Sequence, residues 1–138
     1  MLQEPASYEN WSEFLAARGI TRPGGHRLLL VQIAHGRAWA FRPAAKAPPC
    51  LLAGIVHART QSEAWFSPGV GASEHLRTLV PMCRAQLEED QRYALGAIMT
   101  RTHARNRSGQ RLAKVLGFVR DHLDGHMIVW RWQHVSSG

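Results

Sequence analysis

An alternating, strand-like segment, Tyr93 to Thr102, runs directly into a short basic segment, Asn106 to Phe118 (NRSGQRLAKVLGF). Leu112, Val115 and Leu116 fall at helical spacing and give that segment a buried stripe. Leu116-Gly117-Phe118 then opens another strand. Gly117 to Leu123 and His126 to His134 flank Asp124-Gly125, a strong hairpin signal. On the last strand Ile128, Trp130 and Trp132 share one face, and Met127, Val129 and Arg131 share the other. A strand, a short helix and a hairpin in immediate succession leave few solutions. The helix must bury its stripe on the sheet that holds those strands, so the chain is α/β.

The preceding residues fit the same class. Ser7 caps a first helix, with Asn10 as the alternative cap; Trp11, Phe14, Leu15 and Arg18 set its spacing and Gly19 ends it. Arg22 to Gly25 is a turn or loop, and Leu28 to Ala34 is an apolar run that periodicity leaves open between strand and helix. Ala38 to Phe41 and Cys50 to Ala58 read as paired strands joined by a proline-rich connection, and Gln61 to Ser67 as a third strand. Leu76, Leu79, Val80, Cys83 and Leu87 mark one face of a longer helix, with Ser73 as its expected cap and Pro81 perturbing or delaying its regular start. Glu88, Glu89 and Asp90 crowd its far end, where the helix dipole disfavours them, and read as solubilising charge. The expected architecture is one domain, 1–138: a mixed, mostly antiparallel twisted sheet, helices on both faces and a C-terminal β-hairpin.

Charge narrows the partners. The formal net charge is +7. Arg101, Arg105, Arg107, Arg111, Lys114 and Arg120 fall in twenty residues that contain no acid. Such a cluster attracts a phosphorylated cofactor or another polyanion, or is simply a solvated face. No aromatic and basic interleaving supports nucleic-acid binding. No apolar run reaches the ~18–20 residues that span a bilayer, and the N-terminus has neither a basic leader nor an apolar core. Cys50 and Cys83 sit in apolar surroundings and are expected to be reduced, buried thiols. His122 and His126 have no third ligand nearby, so no metal is expected.

The order of elements resembles the GNAT acyltransferase superfamily, and among its members the small phage-encoded GNAT-like proteins. The resemblance covers 38–133. It is carried by Glu63-Ala64-Trp65-Phe66 as a fourth strand, the long helix after it, a fifth strand at Ala94 to Thr100, Asn106, the Leu116-Gly117-Phe118 corner and the closing hairpin. In that family the fourth and fifth strands splay and acyl-CoA lies in the opening. The resemblance implies acetyl-CoA or CoA as cofactor, with its pantetheine arm on the edge of Trp65, Phe66 and Ser67. It implies a pyrophosphate loop over Pro68 to Glu74, where Gly69, Gly71 and Ala72 match the family's small residues but its leading basic residue is absent. Asn106 matches the family's helix asparagine. Gly109, one turn on, is explained either by close approach of a ligand or by tight packing. Arg105, Arg107 and Arg111 would face the 3′-phosphate and pyrophosphate. The family's acid, a tyrosine seven residues after the asparagine, is replaced by Ala113.

Thioester aminolysis needs a neutral amine, a polarised carbonyl and a leaving thiolate. Glu63 is the family-consistent general base, against an ordinary outward-facing strand carboxylate; His57 is the second candidate, against a structural histidine. A backbone N–H near Phe66 or Ser67 would serve the oxyanion. Glu74 reads as a first-turn charge at the helix entry. Trp130 and Trp132 read as sheet packing, or as a partner-binding anchor where exposed. The resemblance therefore implies an N-acyltransferase of phage type, acting in the host cytoplasm on a host protein or small amine. The alternative is a GNAT-derived protein of weak or no activity that binds a host protein, or a virion component.

Overall fold

The computed structural model describes residues 1–19 and 37–133. The expectations for Arg22 to Gly25 and for Leu28 to Ala34 lie outside those residues. The described elements are β1 (Leu2–Pro5), α1 (Tyr8–Ala17), β2 (Arg37–Arg42), β3 (Leu51–His57) and β4 (Ser62–Pro68), then a 3-10 turn (Ser73–His75) that leads into α2 (Leu76–Gln91). They continue with β5 (Ile98–His103), α3 (Arg107–Leu116), β6 (Phe118–Asp124) and β7 (Met127–Trp132). The sheet order is β1-β2-β3-β4-β5-β7-β6. The β4–β5 pair is parallel, and the β1–β2, β2–β3, β5–β7 and β6–β7 pairs are antiparallel. The sheet is mixed and mostly antiparallel, as the sequence implies. The residues fall into two compact units, 1–56 with 65–79, and 57–64 with 80–138.

In the first unit, α1 begins on a capping box. The Ser7 hydroxyl accepts from the Asn10 N–H, and Asn10 Oδ1 accepts from the Ser7 N–H at 2.8 Å. Both cap candidates are therefore used, one from each side. Trp11, Phe14 and Leu15 bury against Ala40 of β2 and Leu52 of β3. Arg42 closes this unit. It donates to Glu4, to both carboxylate oxygens of Glu13, and to the Ala47 carbonyl at 2.7 Å.

In the second unit, α3 packs on β5 and β6. Asn106 caps it by accepting the Gly109 N–H at 2.9 Å. The indole of Trp130 donates to Thr102 Oγ1 at 2.8 Å, and that of Trp132 to the Leu116 carbonyl at 3.1 Å. Both tryptophans are buried, so they are sheet packing and not an exposed anchor.

Four expectations shift. Tyr93 to Ala97 is not strand: α2 runs to Gln91, and the Tyr93 and Ala94 N–H groups turn back onto the Asp90 carbonyl before β5 starts at Ile98. Ser73 does not cap α2; it opens the 3-10 turn, and Ala72 stands at the cap without a side-chain bond. That turn delays the regular helix, and Pro81 lies inside it. On α2 the buried stripe is Leu79, Cys83, Leu87 and Asp90, while Leu76 is exposed; on α3 it is Ala113 and Leu116, while Val115 is exposed. The last hairpin turns on Gly125-His126, because Asp124 pairs with Met127. Gly125 has φ +60°, and no non-glycine residue among the described ones has positive φ. That is the type II′ pattern, with glycine at the first turn position.

Candidate functional site

The first unit carries β4 from Trp65 onward, the loop 69–72 and the entry to α2. Trp65 lies over Gly54 of β3 and packs against the core under α1; a Cβ on Gly54 would come within 2.6 Å of its ring. Phe66 and Ser67 follow it, both half-buried. Gly69 is pressed on both sides. Its N–H donates to the Cys50 carbonyl at 2.8 Å, and a Cβ there would meet the Phe14 ring at 2.5 Å. Gly71 has φ +85° and open space around its Cα, so it is a turn glycine. Ala72 is buried, and its carbonyl accepts from the His75 N–H.

The loop's donors divide into two sets. The N–H groups of Ala72, Glu74 and His75 close short turns onto Gly69, Gly71 and Ala72. Those of Val70, Gly71 and Ser73 find no acceptor among the described residues. Three unengaged amides in the loop and 3-10 turn that lead into α2 suit an anion physically, since backbone N–H groups without acceptors offer partial positive charge.

The second unit carries Glu63, His57 and the α3 entry. Among the described residues the parallel register of β4 with β5 covers Ser62↔Ile98 and Glu63↔Met99. Thr100 Oγ1 donates to the Ala64 carbonyl at 2.9 Å. Glu63 is half-exposed, with Oε1 3.3 Å from Nε of Arg101, and Arg101 Nη1 is 2.8 Å from Asp124 Oδ2. His57 Nδ1 lies 2.6 Å from the hydroxyl of buried Ser62, so it closes the β3–β4 hairpin. This bond suits a structural role for His57, and no contact joins it to Glu63.

Asn106 spends its side chain on the Gly109 N–H. A Cβ on Gly109 would come within 2.6 Å of the Asn106 amide, so the glycine packs tightly against its own cap. Arg105, Arg107 and Arg111 are exposed around this entry. His103 Nδ1 accepts the Arg105 N–H at 3.1 Å, and the His103 ring stacks on His126. Ala113, at the position of the family's acid, is 4% exposed and offers no hydroxyl. Cys50 and Cys83 are buried thiols outside any disulfide, and burial pushes the Cys50 thiol up from its ordinary value. No group of three or more metal-ligating side chains occurs among the described residues. No helix among them is long and apolar enough to cross a membrane.

Sequence reasoning missed Arg101 as the partner of Glu63, and Asp124 as the second partner of Arg101. The contacts join three different strands, and nothing local in the chain announces them.

No family model matches the chain, and no curated protein matches it by sequence. Solved structures do. An acetyltransferase from Bacillus subtilis in complex with CoA superposes with TM-score 0.67 at 10% identity, over 96% of this chain and 95% of that one. A Bordetella pertussis protein assigned to the GnaT acetyltransferase family matches with TM-score 0.63 at 17% identity, over 95% and 94%. The ribosomal-protein-S18-alanine N-acetyltransferase of Escherichia coli matches with TM-score 0.66 at 12% identity, over 95% and 92%. Likeness at this level of identity establishes architecture: the chain has the fold of the GNAT acetyltransferases.

Proposed function

We propose that the protein is an acyl-CoA-dependent N-acyltransferase, with acetyl-CoA as its cofactor and residues 1–138 acting as one domain. The observation that carries this reading is the set of unengaged N–H groups at Val70, Gly71 and Ser73, placed where β4 passes into α2. In this reading they hold the cofactor's pyrophosphate, with Gly69, Gly71 and Ala72 shaping the loop. Strand β4 at Trp65, Phe66 and Ser67 takes the pantetheine arm, and the thioester carbonyl is polarised by a backbone N–H at the Ser67 end. Arg105, Arg107 and Arg111 offer charge to the phosphates at the entry of α3, beside Asn106 and Gly109.

Glu63 receives a proton from the acceptor's ammonium. The freed nitrogen attacks the thioester carbon, the N–C bond forms and the C–S bond breaks. Of the two protons the nitrogen gives up, one leaves to solvent through Glu63, and the other passes to solvent as solvent protonates the thiolate, because Ala113 has no group that could relay it. His57, tied to Ser62, stays structural. The acceptor is a small amine or a protein amine, and the reaction belongs in the cytoplasm.

One observation favours a second reading. With Ala113 buried where the family carries its acid and Asn106 spent on capping, the chain also fits a GNAT-fold protein of low activity that binds a host protein. A phage origin belongs to both readings, and a virion role to the second alone.

Isothermal titration calorimetry with acetyl-CoA and with CoA, at low and moderate salt, tests the first. Micromolar affinity that weakens with salt is the expected result; no heat at millimolar ligand refutes it. Given binding, Glu63→Gln should cut turnover about 10²-fold while leaving cofactor affinity unchanged.

A further inference from the structure

Arg101 links strands on both sides of β5 through a single side chain. Glu63 sits beside Met99 on the parallel neighbour, Arg101 lies opposite Val129, and Asp124 lies opposite Met127. The guanidinium therefore reaches across β7 to Asp124 while its Nε stays near Glu63. The two bonds are unequal. The 2.8 Å contact with Asp124 is that of a charged N–H···O bond, and the 3.3 Å contact with Glu63 is longer than one. Arg101 is anchored on Asp124 and leans on Glu63. The other oxygen of Glu63 has no partner among the described residues.

We propose that Arg101 is a positioning residue that holds the Glu63 carboxylate until a cationic primary amine takes its place, and that this exchange selects acceptors without a nearby carboxylate of their own. The inference rests on the reading of Glu63 as the group that receives the acceptor's proton. Charge supports the exchange. Two carboxylates and one guanidinium sum to −1, which draws a monocation. After the exchange Arg101 stays paired with Asp124 and the ammonium is paired with Glu63, so both pairs are neutral. A zwitterionic amine would set its own carboxylate against Glu63 and gain nothing.

The test is a titration of the full chain with n-butylammonium, followed by 1H–15N NMR, with γ-aminobutyrate as the zwitterionic control. Saturable shifts at Glu63, at the Arg101 side-chain Nε–H and at Asp124 are expected for the first ligand and not for the second. Arg101→Gln removes the internal competitor and should bind n-butylammonium two- to fivefold more tightly, about the worth of one exposed ion pair. Arg101→Lys should restore wild-type affinity. Asp124→Asn should weaken binding, because Arg101 then falls wholly on Glu63. An ion pair that does not compete with the amine would leave amine affinity unchanged in Arg101→Gln and in Asp124→Asn. Unchanged or weaker binding in Arg101→Gln, or no saturable shift in the wild type, overturns the proposal. All three side chains are substantially exposed, so the variants should fold, and their melting curves verify it. Calorimetry with acetyl-CoA on the same samples separates the two ideas. Lost cofactor binding with a retained amine response refutes the cofactor reading alone; the reverse refutes the exchange alone.

Discussion

Arg42→Met should remove the electrostatic clasp of the first unit while keeping most of the aliphatic stem. The Arg42 side chain is 11% exposed and meets two carboxylates, Glu4 and Glu13, each 43% exposed, together with the Ala47 carbonyl. Hydrogen bonds to charged groups contribute about 1.5–3 kcal/mol each when shielded. Both acids here face water, which screens them heavily. A total loss of about 2 kcal/mol follows, most of it from the Glu13 fork and the Ala47 carbonyl. For a chain of this size that lowers Tm by roughly 6–10 °C. The loss should also change shape with pH. The Arg42 hydrogen bonds hold the carboxyls of Glu4 and Glu13 below the ordinary glutamate value of 4.5, and hold the guanidinium above its own. A carboxyl whose folded value is depressed contributes stability above its unfolded value, and loses it as pH falls through the folded one. Wild-type stability should therefore fall on acidification below about pH 4.5, with a shallower fall in Arg42→Met. Urea unfolding at pH 7 and at steps down to pH 3 measures both quantities. A loss under 0.5 kcal/mol at pH 7, or an acid slope identical in the two proteins, would refute the reasoning.

Two further outcomes are expected. Gly69→Ala places a methyl within 2.5 Å of the Phe14 ring and near the Cys50 carbonyl, so it should cost about 1–3 kcal/mol and weaken acetyl-CoA at least tenfold; calorimetry at a temperature where the variant is still folded checks it. Cys50 and Cys83 are buried thiols outside any disulfide, so neither should react with a disulfide reagent in the native protein, and both should react at once in denaturant.

The parts legible in the sequence are those specified by near neighbours. Ser7, Asn10, Trp11, Phe14 and Leu15 predict α1 because caps and helical spacing act over three or four residues. The strands at β2, β3 and β4 lie within a residue or two of expectation for the same reason. Tyr93 to Ala97 misleads because a period-two pattern says nothing about pairing; Leu95 is 79% exposed there, and Gly96 presses on the Thr60 carbonyl instead of extending a ladder. Asp90 reads as a solvated helix-end charge, yet it lies three residues beyond Leu87 on the buried stripe. Val115 and Ala113 exchange roles on α3 because a stripe chosen by side-chain size overlooked a small residue on the buried side. At the candidate site, the loop glycines were visible as permissive backbone, while the reason for each was not. Gly69 answers to Phe14 and Gly109 to Asn106. Arg101, Glu63 and Asp124 belong to strands whose pairing is a property of the whole sheet.

The asparagine that caps α3 bears on how such chains age. Asn106 earns its place through the Gly109 N–H, and Gly109 through the room it leaves for Asn106. Losing either one would weaken the start of α3 by about 1 kcal/mol, whatever else the chain does. Selection for a folded helix is by itself enough to hold both residues in place. Mutational drift should show the difference first at side chains with no packing duty, such as Glu63 on its strand and Val70 at the loop tip, both exposed.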